Sequence, residues 1–230
     1  MDGILLIDKP AGWTSHDVVA KVRNILKAET GHKIKVGHTG TLDPMATGLL
    51  ILVLGSYTKR AGEFSKLDKT YEAEITLGAV STTADAEGEI TQKSAHQPGL
   101  AQIEEVLHTF LGETRQVPPA FSAIKVDGQR AYKAARAGKA VAIKPRNVTI
   151  HGLKISKYEY PKLDFTVSVS SGTYIRSLAV DIGEQLGTGA YLSGLRRTQV
   201  GAFSVLAALG LEELTMTGIR EELLQGLPKG

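Results

Sequence analysis

The feature that most restricts the fold is a change of hydrophobic period from one segment to the next. Residues 69–78, KTYEAEITLG, alternate apolar and polar side chains with the period of a half-buried strand. Residues 49–55, LLILVLG, are a short apolar run that ends at glycine and indicates a buried strand. Apolar residues within 100–111 and 175–186 instead recur at helical spacing. Strands and helices mix without a regular βαβ rhythm, which predicts the α+β class.

Both ends of the chain carry local signals. Residues 3–8, GILLID, are typical of a buried strand, which the following Lys9-Pro10 ends because proline has no N–H to donate. Thr14 and Asp17 then have the spacing of a capping box, which predicts a helix with its apolar face toward a core. Near the other end, residues 191–203, YLSGLRRTQVGAF, predict a short helix and an edge strand.

The composition excludes several kinds of chemistry. The chain has no cysteine, which excludes disulfides, thiolate metal sites and thiol nucleophiles. The six histidines lack metal-binding spacing, so we expect no metal centre. No signal peptide is recognisable, and no apolar stretch reaches the ~18 residues of a membrane span. We therefore expect a cytoplasmic protein.

The positive charge is concentrated in one segment. The formal net charge is only +3, but residues 115–146 contain eight Lys or Arg and one acid, Asp127. This segment has a Pro-Pro entry, an Asp-Gly turn signal and few large apolar residues, so it predicts an exposed insertion over about residues 118–147.

Residues 36–50, VGHTGTLDPMATGLL, allow three interpretations. A phosphate-binding loop would require G-x-x-x-x-G-K-[ST] or G-x-G-x-x-G, and neither is present. Asp43 could be a helix N-cap with Pro44 at the first helical position. Alternatively, Asp43 keeps that cap geometry and is also a reactive carboxylate, held ionised by the helix N-terminus.

A reactive aspartate needs a partner to orient it. Residues 171–184, SGTYIRSLAVDIGE, break a strand at Gly172 and place Tyr174 and Arg176 at the start of a helix. Arginine can hold a carboxylate through two N–H bonds. A surface ion pair for Arg176 and a core position for Tyr71 are the simpler alternatives, which spacing alone leaves open.

Several blocks of sequence match one known family in order. They are GILLIDKPAGWTSHDVV, KVGHTGTLDPMATGLLILVLG, KTYEAEITLGAVSTTADAEGE, QVPPAFSAIKVDGQRAYKAAR, SGTYIRSLAVDIGEQLG and LSGLRRTQVGAF, spread over residues 3–203. With these blocks the chain closely resembles the TruB-type tRNA pseudouridine synthases. The G-H-T-G-T-L-D-P string is itself highly specific.

The resemblance implies a fold and a reaction. The fold would be the pseudouridine synthase catalytic fold, a central, mixed, mostly antiparallel sheet flanked by helices. The reaction would isomerise uridine-55 in the T loop of tRNA: the uridine is flipped out, its glycosidic bond is cleaved, and the base is re-attached through carbon 5. This isomerisation is redox-neutral, so no cofactor or metal is expected. The alternative is a tRNA-binding or folding chaperone with secondary or absent catalysis.

The resemblance also assigns residues. Asp43 matches the essential aspartate, Tyr71 the tyrosine that stacks on the uracil, and Arg176 the arginine that pairs with the aspartate. Tyr174 and Leu195 match positions that line the pocket, and His38 a histidine that fills the space left by extruded bases. Lys9 is interpreted as support for the floor of the site or as a phosphate contact.

The remaining expectations concern RNA binding and domains. The basic insertion corresponds to a thumb that closes over the T stem-loop, with Lys125, Arg130, Lys133 and Arg136 as RNA-binding residues. We expect a catalytic domain over residues 1–210 and a short helical tail over 211–230, without the complete PUA-type domain of many relatives. We also expect a monomer that binds tRNA, no nucleotide cofactor and no membrane.

Overall fold

The computed structural model describes residues 1–122, 125–126, 129–130 and 143–226. The chain divides into two compact units, one formed by Met1–Tyr71 with Leu195–Gly230 and the other by Glu72–Gly194. Within the described ranges, every helix is too short or too polar to cross a bilayer.

The elements confirm an α+β fold. In chain order the described strands are β1 (Gly3–Lys9), β2 (Val36–His38), β3 (Thr47–Leu54), β4 (Lys69–Leu77), β5 (Ala79–Ser81), β6 (Ile90–Gln92), β7 (Gly112–Gln116), β8 (Lys125–Val126), β9 (Gln129–Arg130), β10 (Arg146–Glu159), β11 (Lys162–Val169), β12 (Ala190–Val200) and β13 (Phe203–Ser204). The described α-helices are α1 (Ser15–Thr30), α2 (Ala61–Ser65), α3 (Leu100–Thr109), α4 (Ile175–Gln185) and α5 (Met216–Glu221). Short 3₁₀ turns cover Gly55–Arg60 and Val205–Ala207.

The first unit is built around β3, whose apolar residues are buried on both faces. Antiparallel β1 pairs along its whole length, and antiparallel β2 pairs with its last residues on the other edge. The start of β3 pairs in parallel with β12, where Arg197 lies opposite Gly48. A core cluster includes Ile51 of β3 together with Phe64 and Phe203, whose ring centroids are 6.1 Å apart. The sheet of this unit therefore has mixed strand directions.

The capped helix predicted after Thr14 is confirmed as α1. The Thr14 hydroxyl accepts the Asp17 backbone N–H at 3.1 Å, and the Asp17 carboxylate accepts the Thr14 backbone N–H at 2.9 Å. These reciprocal bonds satisfy two donors that the helix would otherwise leave free. The buried face of α1 carries Val18, Val22 and Leu26, at the predicted helical spacing.

The helix and edge strand predicted within residues 191–203 were wrong. The segment continues as strand β12 to Val200, and in the sheet order β12 lies between β3 and β4. Its polar side chains are accommodated because they bond to the backbone of β4. The Ser193 hydroxyl donates to the Glu74 carbonyl at 3.2 Å, and the Thr198 hydroxyl to the Thr70 carbonyl at 3.3 Å.

The second unit combines antiparallel strands with two helices. Strand β10 pairs with both β11 and β7. Helices α3 and α4 bury Ile103, Leu107, Leu178 and Ile182, so the helical spacing read from both segments is confirmed. The Gln116 side chain at the end of β7 bonds to the backbone of Tyr174, which holds the start of α4 next to that strand.

The predicted basic thumb falls largely outside the described residues. Strand β8 pairs with β9 so that Lys125 lies opposite Arg130 in the backbone register. The side chains of these two residues lie outside the described part of the chain, as do Lys133 and Arg136 entirely. Their role in RNA binding stays a prediction.

Candidate active site

Asp43 opens a tight turn that leads into β3. The Ala46 N–H donates to the Asp43 carbonyl at 3.0 Å, which places Pro44 at the second position of a β-turn. The helix N-cap expected at Asp43 is therefore wrong. Proline fits the second position of a turn as well as the first turn of a helix, and the apolar run after it extends as strand. The half-buried Asp43 thus stands on a short turn, without a helix dipole beneath it.

A buried serine holds the residue before Asp43 in place. The Ser15 hydroxyl accepts the Leu42 backbone N–H at 2.8 Å and donates to the Leu42 carbonyl at 3.1 Å. Ser15 is 2% exposed, so both backbone groups of Leu42 depend on this hydroxyl instead of water. Ser15 is also the first residue of α1, and this helix therefore fixes one side of the Asp43 turn.

Lys9 lies beneath the other side of the turn. Its side chain is fully buried, and its ammonium donates to the carbonyls of Trp13 at 2.7 Å, Pro10 at 2.9 Å and Pro44 at 3.3 Å. The Gly12 backbone N–H also donates to the Pro44 carbonyl at 2.8 Å. A buried charge requires such partners because its hydration is lost. This placement favours support of the turn over contact with a phosphate.

Arg197 joins the loop before Asp43 to the start of β3. Its guanidinium donates to the Leu49 carbonyl at 2.7 Å and to the Gly40 carbonyl at 3.1 Å, and its side chain is buried. Close approach of β12 requires glycine at position 48, where φ is +99° and an added Cβ would lie 2.3 Å from the Arg197 carbonyl oxygen. Neighbouring Arg196 forms two hydrogen bonds to Asp8, at 2.7 and 3.0 Å.

His38 ends β2 and is half-buried. Burial lowers the pKa of His38, and the electrostatic effect of Arg197 and, less, of His16 acts in the same direction. Its Nδ1 atom is buried and has no hydrogen-bond partner among the described residues. Burial thus favours the neutral form of the ring, which lies next to the Thr39–Gly40 bend.

Tyr71 and Leu195 lie on neighbouring strands of the first unit. Tyr71 is 7% exposed, and Leu195 is half-buried with its carbonyl 3.5 Å from the Thr47 hydroxyl.

Lys69, two residues before Tyr71, donates to the carbonyls of Ser65 and Leu67. Burial lowers the pKa of Lys69 to about 8, with the Arg197 charge acting in the same direction and Asp68 opposing it.

Arg176 lies in the first turn of α4 and is 5% exposed. Its guanidinium pairs with the Asp85 carboxylate at 3.2 Å and donates to the carbonyls of Thr83 at 3.2 Å and Phe121 at 2.8 Å. Asp85 is 2% exposed and also accepts the Thr83 hydroxyl at 2.5 Å and the Glu87 N–H at 3.0 Å. Both charges are thus fixed by several bonds. The predicted pairing of Arg176 with Asp43 stays a prediction.

Tyr174 precedes α4 and is held through its backbone. The buried Gln116 side chain accepts the Tyr174 N–H at 2.7 Å and donates to the Tyr174 carbonyl at 3.0 Å. The Arg146 guanidinium lies 4.8 Å from the centroid of the Tyr174 ring and donates to the Gly172 carbonyl. A cation over an aromatic face is attractive, so the ring is held as well as the backbone.

Comparisons with known proteins identify the family. A model of the TruB family pseudouridylate synthase N-terminal domain matches residues 23–175, and a model of the tRNA pseudouridylate synthase B C-terminal domain matches residues 176–227. The chain belongs to the TruB family. It is therefore an isomerase of the pseudouridine synthase type, as the resemblance implied.

TruB relatives match over most of this chain. The tRNA pseudouridine synthase B of Pseudomonas fluorescens Pf-5 is 50% identical over 93% of this chain and 68% of its own length. The Thermobifida fusca enzyme of the same name is 46% identical over 93% of this chain and 74% of its own length. The chain thus spans about two thirds to three quarters of these relatives.

Solved structures support the TruB-type fold. One chain in the crystal structure of a Cbf5–Nop10–Gar1 complex has a TM-score of 0.71 and 32% identity, covering 92% of this chain and 53% of its own. Another, in an H/ACA RNP bound to a substrate RNA that contains 2′-deoxyuridine, has a TM-score of 0.67 and 30% identity, covering 92% and 52%. The pseudouridine synthase fold expected from the sequence is thus confirmed.

Several residues that hold the candidate residues of each unit in place were not predicted. The sequence patterns did not single out Ser15, Asp85, Gln116 or Arg197. Asp85 follows Ala84, whose φ of +64° is unusual for a residue other than glycine. No local pattern marks these residues, because each acts on a partner distant in the chain.

Proposed function

We propose that this protein isomerises uridine-55 in the T loop of tRNA to pseudouridine, with Asp43 as the essential carboxylate. The observation that carries the proposal is the position of Asp43 in a TruB sequence, on a turn held from both sides by buried Ser15 and Lys9. Such support fixes the backbone that carries the carboxylate, and catalysis by orientation requires a fixed backbone of this kind.

The reaction needs only groups that the chain itself supplies. The bond between ribose C1′ and uracil N1 breaks, the uracil turns, a bond from C1′ to C5 forms, and the C5 proton is released while N1 gains a proton. A carboxylate can attack the base, attack the sugar or remove a sugar proton, and each role places an oxygen of Asp43 against the uridine.

The proposed binding residues compensate for flipping the base. Extruding a nucleotide from its stack costs a few kcal/mol. Stacking of uracil on Tyr71 would return about 1–3 kcal/mol of that amount. Leu195 and Tyr174 supply further walls, Arg176 orients the carboxylate, and His38 fills the space that the base leaves. Lys125, Arg130, Lys133 and Arg136 of the thumb are assigned to phosphates.

The test is release of tritium from C5-labelled uridine in a tRNA T stem-loop, with no added cofactor. Asp43→Asn should abolish release but keep the Kd for the RNA within about tenfold, because this carboxylate faces the base instead of a phosphate. Glu72→Gln, an exposed substitution on the same strand as Tyr71, is the matched control and should remain active. Replacing uridine-55 by cytidine should also abolish release. Normal release by the Asp43→Asn enzyme would overturn the proposal.

A further inference from the structure

The first unit contains a basic pocket of about 770 Å³ beside α1 and β2. Its wall carries four cationic side chains: Arg23 and Lys27 from α1, and Lys33 and Lys35 from the segment that leads into β2. Arg23 and Lys27 are four residues apart on the helix and so project from the same face. The four cations are exposed, so an anion can reach them from solvent.

The cations of the basic pocket lack a compensating acid. Among the described residues, no carboxylate lines the pocket and none of the four cations forms an ion pair. Arg23 donates one N–H to the Val36 carbonyl at 2.5 Å, which leaves the rest of its guanidinium for another partner. Like charges gathered around one cavity repel each other, and this repulsion is relieved when an anion binds.

The lining favours a sugar–phosphate backbone over a nucleotide base. Within the described part of the chain no aromatic ring lines the pocket, so a base would have no surface there on which to stack. Asn24 and Thr58 add an amide and a hydroxyl, groups that commonly donate to phosphate oxygens. The chemistry is therefore that of phosphate contacts that position a nucleic acid without reading its sequence.

The basic pocket is lined by residues that come just before the candidate active site in the sequence. Val36 and Gly37 of β2 line it, and the next residue of that strand is His38. The chain then passes through Gly40 into the Asp43 turn. An RNA that reaches Asp43 with one uridine thus has this pocket within the same unit as a place for its backbone.

We propose that the basic pocket binds backbone phosphates of the RNA substrate outside the reacting uridine. This proposal rests on the proposed function, since it takes tRNA as the substrate. Its contribution is to affinity and to the position of the RNA, and it leaves the chemical step unchanged.

The test compares two triple variants with equal loss of charge. Lys27→Gln/Lys33→Gln/Lys35→Gln removes three pocket cations and keeps Arg23, whose bond to Val36 is structural. Lys66→Gln/Lys93→Gln/Lys154→Gln removes three exposed lysines from outside the pocket. The Kd for unmodified tRNA is measured at several salt concentrations, and kcat at saturating tRNA. Melting temperatures verify that both variants fold.

The pocket variant should weaken binding by about tenfold or more and lower the slope of log Kd against log salt by roughly 2, as expected for two or three lost phosphate contacts. The control should change Kd by less than about threefold, and kcat should stay within about twofold in both.

Equal Kd values and slopes for the two variants would overturn the pocket proposal. The proposal would also be overturned if the wild-type pocket bound inorganic triphosphate but the pocket variant still bound tRNA with the wild-type Kd. Absence of tritium release by the wild-type protein would instead overturn the proposed function, so the two failures are distinguishable.

Discussion

Arg176 and Asp85 form an ion pair of 3.2 Å in which the side chains are only 5% and 3% exposed. A buried pair of this kind is stable only when both partners are present, because each alone would be a charge without hydration. Here Asp85 has two further donors, and Arg176 has two carbonyl acceptors. The pair therefore fixes the start of α4, where Tyr174 and Arg176 lie.

Replacement of Asp85 by asparagine should destabilise the protein and reduce its activity. Asparagine keeps the shape and an acceptor oxygen but leaves the Arg176 charge without this counter-ion, which costs about 3 kcal/mol for a buried pair. In a chain of this size that corresponds to a fall of roughly 6–12 °C in melting temperature. Thermal denaturation and tritium release measure the two effects. Lys157→Gln, which breaks the exposed pair with Glu159, is the control and should leave both unchanged. A melting temperature for Asp85→Asn equal to that of the control would contradict this account.

Removal of the Ser15 hydroxyl should loosen the Asp43 turn. Ser15→Ala leaves the N–H and the carbonyl of Leu42 without their partner in a buried site, and each orphaned group costs about 1–3 kcal/mol. Because Leu42 precedes Asp43, kcat should fall more than KM rises. Ser65→Ala removes an exposed hydroxyl bonded to the Gly62 carbonyl and should have little effect on either constant. A Ser15→Ala enzyme with unchanged kcat and stability would show that the turn does not need this anchor.

The elements that could be predicted from the sequence depend on neighbours in the chain. The two partners of the capping box, Thr14 and Asp17, are three positions apart and therefore visible in one short stretch. The buried strand β3 and the helices α3 and α4 likewise follow from apolar spacing alone. Local patterns therefore suffice wherever the stabilising contacts are themselves local.

The features that escaped prediction depend on distant partners. Ser15 bonds to Leu42, 27 residues away, and Asp85 pairs with Arg176 from another part of the chain. The Asp43-Pro44 pair suits both a helix start and a β-turn, and only the strand pairing of the following residues decides between them. Strand β12 was mistaken for a helix and an edge because its polar side chains bond within the sheet.

Neutralising Asp181 should stabilise the protein at pH 7 but not in acid. Burial, and to a smaller extent the charge of Glu184, raises the pKa of Asp181 from 3.8 to about 6. Between pH 3.8 and about pH 6, Asp181 binds more protons in the folded state than in the unfolded state. The contribution of Asp181 to stability is therefore fully present below about pH 4 and is lost as the pH rises through 6. Asp181→Asn should therefore gain about 1–2 kcal/mol at pH 7, a figure discounted for partial exposure.

The measurement for Asp181 is the difference in unfolding free energy between wild type and variant as a function of pH, in which the other titrating groups cancel. The gain should vanish below about pH 4, where Asp181 is protonated in both states. Glu184→Gln, which removes the smaller cause, should give a smaller gain at pH 7. A difference that does not change with pH would rule out titration of Asp181 as its source.

Gly48→Ala should disrupt the pairing of β3 with β12 and, with it, the loop before Asp43. At φ +99° a side chain is strained by about 1–2 kcal/mol, and the new Cβ would lie 2.3 Å from the Arg197 carbonyl oxygen, a backbone atom. Arg197 would have to shift and weaken its bonds to Leu49 and Gly40.

The matched control is Gly31→Ala at the end of α1, where φ is +71° but nothing lies within 4 Å of the added carbon, so only strain of about 1 kcal/mol applies. Urea denaturation should show a loss for Gly48→Ala that exceeds the control by several kcal/mol, together with loss of tritium release. Equal stability of the two alanine variants would mean that the close approach of Arg197 does not constrain position 48.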